Sequence, residues 1–119
     1  MSRARGRVAE DAALAFLLSH GLALVARNYR CRLGELDLVM RDGATLVFVE
    51  VRARTHTAWG TPEASVDRRK QARLCAAAGA YLASHPAEAA RPMRFDVVVF
   101  SGPDGDNEPR WLRAAFDAA

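Results

Sequence analysis

The sequence has no hydrophobic run long enough to cross a membrane. Its longest apolar stretches, such as residues 12–18, fall well short of the roughly 20 residues that a membrane-spanning helix needs. The start of the chain also lacks the apolar core of a signal peptide. We therefore expect a cytoplasmic protein that makes no membrane contact.

Cysteine and histidine are too few and too scattered to indicate a zinc centre or a disulfide scaffold. Cys31 and Cys75 are the only cysteines, and they have no C-x-x-C spacing, so we expect two reduced thiols. A stray disulfide or a reactive thiol is the alternative. His20, His56 and His85 form no i, i+4 pair, so we expect them in solvent or at helix ends and not as metal ligands.

The sequence also lacks the marks of a serine hydrolase, a repeat protein or a linker. Ser65 and Ser101 have no G-x-S-x-G context, which argues against a hydrolase triad. The length is 119 residues, half of them hydrophobic and 26% charged, as is typical of one globular domain. We expect residues 1–119 to form a single domain, and nothing indicates an organic cofactor.

Positive charge is modest in total but clustered along the chain. The formal net charge is +3, yet the basic residues gather in four groups: Arg3, Arg5 and Arg7; Arg27, Arg30 and Arg32; Arg52 and Arg54; and Arg68, Arg69, Lys70 and Arg73. Such clusters can hold a phosphate backbone, although an excess of alanine and arginine also fits genomic base bias. The candidates for contact with nucleic acid are Arg30, Arg32, Arg54, Arg69 and Arg73.

The first element is predicted to be a helix over residues 6–20, ended by Gly21. At 100° per residue, Glu10 shares a stripe with three apolar residues, which are Ala13, Leu14 and Leu17. This stripe aims an acid towards the rest of the fold. Asp11 replaces Glu10 if the helix is rotated.

Strand patterns follow the first helix. Residues 22–29 alternate loosely, whereas residues 35–41 and 45–52 predict two antiparallel strands joined by a hairpin turn at Asp42-Gly43. The second of these is apolar on both faces, so we expect it to be central in the sheet and covered on both sides. A further strand is predicted over residues 94–100.

A second helix is predicted over residues 64–84, stopped by Pro86. Its apolar stripe, extended towards its N-terminus, reaches Lys70 and Gln71, which places their polar ends near that end of the sheet. Residues 110–119 fit a strand, a helix or both. The elements together predict an α/β fold with a mixed sheet flanked by helices.

Two acids interrupt the hydrophobic strands and indicate a chemical site. Asp37 and Glu50 are costly to bury unless they are paired or bound to metal. The hairpin brings them to the same end of the strand pair, and Arg52 shares a face with Glu50. Two neighbouring carboxylates repel each other unless a divalent cation lies between them, and hard oxygen ligands favour Mg²⁺ or Mn²⁺ over zinc.

Ordinary ion pairing is the alternative explanation of these acids. Glu50 would then pair with Arg52 or Arg54, and Asp37 would cap a turn or neutralise a nearby arginine, Arg30 or Arg32. The arrival of Glu10 from the first helix favours the metal interpretation.

The ordered motifs of the chain resemble the YraN-like family of uncharacterised bacterial proteins over nearly its whole length. These motifs are Gly6, Glu10 and Ala13; Asn28-Tyr29-Arg30; Gly34-Glu35-Leu36-Asp37-Leu38-Val39; Val47-Phe48-Val49-Glu50-Val51-Arg52-Ala53-Arg54; Lys70 with Arg73-Leu74; and Arg94-Phe95-Asp96-Val97-Val98. That family is similar in fold to Holliday-junction resolvases and other PD-(D/E)XK restriction-endonuclease-like proteins.

The resemblance implies a set of roles for the acids. Asp37 and Glu50 would be metal ligands, the backbone carbonyl of Val51 would add a third, and Glu10 would complete the site. Arg52 departs from the pattern, which has lysine there. Lysine can lose its proton when buried and help to activate water, whereas arginine stays charged, so Arg52 would bind phosphate and Lys70 would supply the mobile ammonium group.

Three other residues are lesser candidates. Glu35 would be a supporting acid beside Asp37 or a partner of an arginine. Trp59 would stack on a base or pack in the core. Asp96, inside a strand, is expected to pair with a nearby arginine.

The sequence therefore predicts a Mg²⁺- or Mn²⁺-dependent nuclease acting on DNA, branched or otherwise structured. Asp37, Glu50, Arg52 and Lys70 are the expected catalytic residues, and a homodimer is expected by analogy with resolvases of this fold. The alternatives are a non-catalytic module that binds nucleic acid and a purely structural protein-interaction module.

Overall fold

The computed structural model describes residues 3–53, 66–100 and 109–117, with side chains from Arg7 onward. Arg54, Trp59, His56, Ser65 and Ser101 therefore lie outside the described residues. The regular elements, in chain order, are α1 (Arg3–Ser19), β1 (Ala23–Cys31), β2 (Gly34–Asp42), β3 (Thr45–Ala53), α2 (Arg68–Ser84), a short 3-10 helix (Pro86–Glu88), β4 (Met93–Phe100) and β5 (Arg110–Phe116).

The strands form one open sheet in the order β1-β2-β3-β4-β5. The β3–β4 pair is parallel, and the other three pairs are antiparallel. The fold is thus mixed α/β with a five-stranded sheet and two helices. The sequence predicted the mixed sheet and the flanking helices but left the fifth strand open. The predicted central strand, β3, is the middle strand.

Alternate residues of β3 pack into two separate cores. Leu46 and Phe48 join the cluster under α2, whereas Val47 and Val49 join the cluster under α1. The side chains of a strand point alternately to its two faces, so a strand that is apolar at every position needs a cover on both. This confirms the prediction made from the double-sided apolar pattern.

The β2–β3 hairpin has the turn that the sequence predicted. Asp42 pairs with Thr45, which leaves a two-residue loop that begins with Gly43 at a φ of 60°. A positive φ at the first loop position suits glycine, because glycine has no Cβ to clash there.

Three element boundaries differ from the predictions by more than one residue. Helix α1 begins at Arg3 rather than at residue 6, since arginine and alanine are good helix formers. Helix α2 begins at Arg68 rather than at residue 64, because Asp67 caps it by accepting a hydrogen bond from the Lys70 amide at 2.9 Å. Strand β1 continues to Cys31, two residues past its predicted end.

The segment after residue 109 is a strand, β5, and the side chain of Asp96 on β4 holds it in place. The Asp96 carboxylate is fully buried, and it accepts hydrogen bonds from Arg94 Nε at 3.0 Å, Trp111 Nε1 at 2.9 Å and the Ala114 amide at 3.0 Å. The predicted arginine pairing is confirmed. The contacts to Trp111 and Ala114 were not foreseen, and they join β5 to β4 at the point where the strand register shifts.

Histidines at the helix ends take the predicted capping positions. His20 and His85 each place Nδ1 2.8 Å from a carbonyl oxygen of the preceding helical turn, that of Phe16 and Tyr81 respectively. Neither helix of the described chain has the length and apolarity needed to traverse a bilayer.

Candidate active site

A cavity of about 170 Å³ opens at one end of the sheet, between the two helices. Residues from four elements line it: Ala9 and Glu10 of α1, Glu35 and Asp37 of β2, Glu50, Val51, Arg52 and Ala53 of β3, and Lys70 of α2. The fold therefore brings together all the predicted catalytic residues and all the predicted metal ligands.

Strands β2 and β3 separate at Asp37, and this separation creates the site. Their pairing ends at Leu38 and Val49. The in–out alternation of β2 also breaks there, because Leu36 packs under α2 and Leu38 packs under α1. Asp37 Oδ2 accepts a hydrogen bond from the Val51 amide at 2.8 Å. The Asp37 carboxylate thus takes the place that a backbone acceptor of β2 would have if the pairing continued.

Asp37 and Glu50 are both buried, with exposed fractions of 8% and 5%. Burial and the neighbouring Glu50 carboxylate raise the pKa of Asp37 to about 8, and the hydrogen bond from the Val51 amide only partly opposes this. Two carboxyl groups in one buried site cannot both ionise cheaply without a positive charge between them.

Glu50 receives two cationic side chains. Lys70 Nζ lies 3.3 Å from Glu50 Oε2, and Arg52 contacts the same oxygen at 3.4 Å. Arg52 reaches it because residues two apart share a strand face. Lys70 reaches it because α2 begins two residues earlier, at Arg68, over the same end of the sheet. Lys70 thus lies in the inward position that the sequence predicted.

Glu10 lies at the margin of the cavity. The buried stripe of α1 is Ala9, Ala13 and Leu17. Glu10 therefore lies beside this stripe, whereas the sequence predicted that it lies within it. Burial raises the pKa of Glu10, and Arg27, 4.0 Å away, partly offsets the effect. Asp11, the alternative acid, has a side chain that is 64% exposed and pairs with Arg27 at 2.7 Å.

The acids do not form a complete metal cage by themselves. Within the described ranges, no three His, Cys, Asp or Glu side chains stand close enough to hold a metal ion. Of the groups that shift the pKa of Asp37, Glu10 has the smallest effect. The centre of the site is therefore the Asp37–Glu50 pair, and Glu10 and the Val51 carbonyl as further ligands stay predictions.

The ion-pairing alternative applies to one acid and not to the other. Glu50 does pair with Arg52, as that alternative required. Asp37 has no ion pair with Arg30 or Arg32 in the part of the chain described here, and Arg30 pairs instead with Glu35 at 3.0 Å. Among the described residues, Asp37 therefore has no charged partner of opposite sign.

The predicted phosphate contacts lie mostly beside this cavity. Arg30, Arg32 and Arg73 line a second cavity that shares Glu35 and Lys70 with the first. Arg69 is exposed on α2. One contributor was missed from the sequence: Gly34 brings the β1–β2 turn against the Arg73 carbonyl. The sequence feature that could have indicated this contact is a glycine directly after a short basic turn.

Comparison with known proteins identifies relatives over the whole chain. The model of a family described as "Uncharacterised protein family UPF0102" matches residues 9–100. A UPF0102 protein of Pseudomonas paraeruginosa is 52% identical over 98% of this chain and 95% of its own. One from Stutzerimonas stutzeri is 51% identical over 98% of both chains. Neither the family description nor these names states an activity.

Proposed function

This chain belongs to the uncharacterised protein family UPF0102, and from the site that its fold builds we propose that it is a metal-dependent nuclease. The proposed substrate is DNA with branched or otherwise structured segments. The proposed fold relationship is to the PD-(D/E)XK restriction-endonuclease-like proteins, whose mixed sheet, flanking helices and acidic strand ends have counterparts here.

One observation carries the proposal: the buried Asp37–Glu50 pair opens into a cavity with Lys70 within ion-pair distance of Glu50. A purely structural pair of acids would be expected to have a cation on each. Here both cations contact Glu50, whereas among the described residues Asp37 has the Val51 amide and the Glu50 carboxyl group as partners but no cation. Burying an acid costs free energy of folding and raises its pKa. Acids with such raised pKa values cluster at functional sites.

The donor set fits Mg²⁺ or Mn²⁺. The two central side chains offer carboxylate oxygens, which are the ligands these ions prefer, and the shortage of positive charge at Asp37 is what a divalent cation would supply. Asp37 and Glu50 would hold the ion, with Glu10 and the Val51 carbonyl as further candidates. When bound, such an ion lowers the pKa of water and stabilises charge on a phosphodiester undergoing cleavage.

Lys70 would take the place of the missing motif lysine. Its ammonium group lies where a lysine at position 52 would also have reached, since Lys70 and Arg52 contact the same Glu50 oxygen. Lysine can give up and regain a proton, so Lys70 can move a proton at the nucleophile or the leaving group. Arg52 keeps its charge and would orient the scissile phosphate through its planar donors.

A second candidate function is a non-catalytic module that binds nucleic acid. The observation that favours it is the arginine at position 52, which leaves the strand motif without its own proton-transfer group. This alternative predicts binding without a metal requirement and without dependence on Asp37.

Cleavage assays with matched acid variants separate these two functions. Purified protein with Mn²⁺ is incubated with branched, flapped and single-stranded DNA, and Asp37→Asn and Asp37→Ala are compared with Asp11→Asn. We expect the Asp37 variants to lose cutting at least about 100-fold, while Asp11→Asn, which changes an exposed acid on α1, retains it. Cutting that survives in folded Asp37→Ala protein would overturn the proposal.

A further inference from the structure

A second cavity of about 270 Å³ adjoins the acidic one, between the β1–β2 turn and α2. Four of its lining side chains are cationic and one is acidic; these are Arg30, Arg32, Lys70 and Arg73, with Glu35. Glu35 and Lys70 line both cavities. The two spaces are therefore neighbours, one basic and one acidic.

Two of these cations have no counter-charge in the part of the chain that the structure describes. Arg30 is paired with Glu35, and Lys70 with Glu50. Arg32 and Arg73 are exposed and make no ion pair with any other described residue. Unpaired arginines on facing elements produce a local positive potential, and their planar donors match phosphate oxygens.

Close packing fixes the two walls of this basic cavity relative to each other. A Cβ placed on Gly34 would lie only 3.0 Å from the backbone oxygen of Arg73. The turn that carries Arg32 therefore rests directly on the helix that carries Arg73. The backbones that carry these two arginines are therefore held at a fixed spacing on either side of the cavity.

An apolar residue stands at the tip of the same turn. Leu33 follows Arg32, and 55% of its surface is exposed. A leucine beside exposed arginines is suited to contact a nucleobase, and insertion into a duplex costs about a few kcal/mol of unstacking that an unpaired strand avoids. Inorganic phosphate or a simple polyanion would make no use of it.

We propose that the basic cavity binds the phosphate next to the scissile one, on an unpaired DNA strand, with Leu33 against a base of that strand. This assignment rests on the proposed function, because the acidic cavity beside it would hold the scissile phosphate. The strand runs across Lys70, which both cavities share. The substrate class is thus DNA with an unpaired segment adjoining the cut, and intact duplex is a poor ligand.

The test measures binding without metal, so that it does not depend on cleavage. A labelled oligothymidylate strand of about 12 nucleotides, a duplex of equal length and an abasic strand are titrated in EDTA with the full chain. The double variant Arg32→Gln/Arg73→Gln is compared with Arg113→Gln, which removes an arginine from β5 at the opposite edge of the sheet.

We expect the double variant to bind the strand about 10-fold more weakly, with its slope of log affinity against log salt reduced by about 1 to 1.5. The Arg113→Gln variant should bind within about twofold of the parent. Leu33→Ala should weaken binding to the thymidylate strand about threefold and leave the abasic strand unchanged. Thermal midpoints establish that each variant is folded.

Gly34→Ala tests the cavity without altering any charge. Its methyl group would push the turn away from Arg73, so we expect about a fivefold loss of strand binding at unchanged net charge. Equal binding by the double variant and Arg113→Gln, or duplex bound as tightly as the single strand, would overturn the assignment. Binding that follows these expectations without any Mn²⁺-dependent cutting would instead refute the proposed nuclease function.

Discussion

The ammonium group of Lys70 lies 3.3 Å from Glu50 Oε2, although α2 and β3 are separate elements and the two residues are 20 positions apart in the chain. Arg52, two residues beyond Glu50 on the same strand, contacts the same oxygen. The site therefore has two cations of different chemistry at one carboxylate, and their roles can be separated.

Exchange of the two cations tests which one moves the proton. Lys70→Met should lower the cleavage rate about 100-fold, in the range expected for loss of a proton-transfer group. Lys70→Arg should be equally defective, because arginine keeps its charge but does not release a proton. Adding Arg52→Lys to Lys70→Met should restore much of the rate, as seen in single-turnover assays.

The rescue distinguishes proton transfer from a structural role. If Lys70 only neutralised Glu50, Lys70→Arg would retain activity and Arg52→Lys would restore nothing.

The raised pKa of Asp37 predicts that the protein becomes less stable as pH increases. The folded value is about 8 and the reference value is 3.8, so between these values the folded state holds a proton that the unfolded state has lost. The contribution of Asp37 to stability is greatest below the reference value and declines as pH rises towards 8. Urea unfolding from pH 5 to pH 9, without metal, measures this decline.

Asp37→Asn should flatten that dependence and stabilise the protein at pH 8 by roughly 1 to 3 kcal/mol. Asp11→Asn, which alters an exposed acid, should leave the slope as it is. A parent protein whose stability is constant over this range would contradict the assigned protonation of Asp37.

Divalent metal should stabilise the folded protein through the same two acids. At about ten times its dissociation constant, Mn²⁺ would add about 1.4 kcal/mol, a rise of several degrees in the melting temperature. The rise should be larger at pH 8 than at pH 6, because bound metal has to displace the proton from Asp37. Differential scanning fluorimetry measures both rises.

Asp37→Asn and Glu50→Gln should each abolish the Mn²⁺ effect, and Glu10→Gln tests whether the helix acid contributes. Asp11→Asn serves as the control. A melting temperature that rises equally in the Asp37 and Asp11 variants would mean that the metal binds elsewhere.

Asp96 should be essential for stability and unconnected with the chemistry. Its carboxylate is fully buried and is shared by Arg94, Trp111 and Ala114. Asp96→Ala would leave two N–H donors without their acceptor and Arg94 with Asp42 as its remaining partner, at a cost of about 3 to 5 kcal/mol. Asp117→Ala, at an exposed acid just past β5, should cost under about 0.5 kcal/mol in the same urea titration.

Local pattern was sufficient to predict most of the secondary structure. The Asp42-Gly43 turn, the position of β3 in the sheet and the pairing of Arg52 with Glu50 all follow from side-chain periodicity and turn chemistry. The start of α2 was placed too early, because the capping role of Asp67 depends on a hydrogen bond that a stretch of polar residues does not specify. The contacts of Asp96 with β5 were missed for a similar reason, since they join residues 15 and 18 positions apart.

The sequence by itself determined which residues form strands and helices and which acids interrupt them, because these properties depend on neighbours within a few positions. Only the tertiary structure decided that β2 and β3 separate at Asp37, that Lys70 joins Arg52 at Glu50, and that Arg32 faces Arg73 across a cavity. Each of these depends on how whole elements pack on the sheet. That packing is set by the two hydrophobic cores. The cores fix the backbone, and the backbone fixes which polar residues meet.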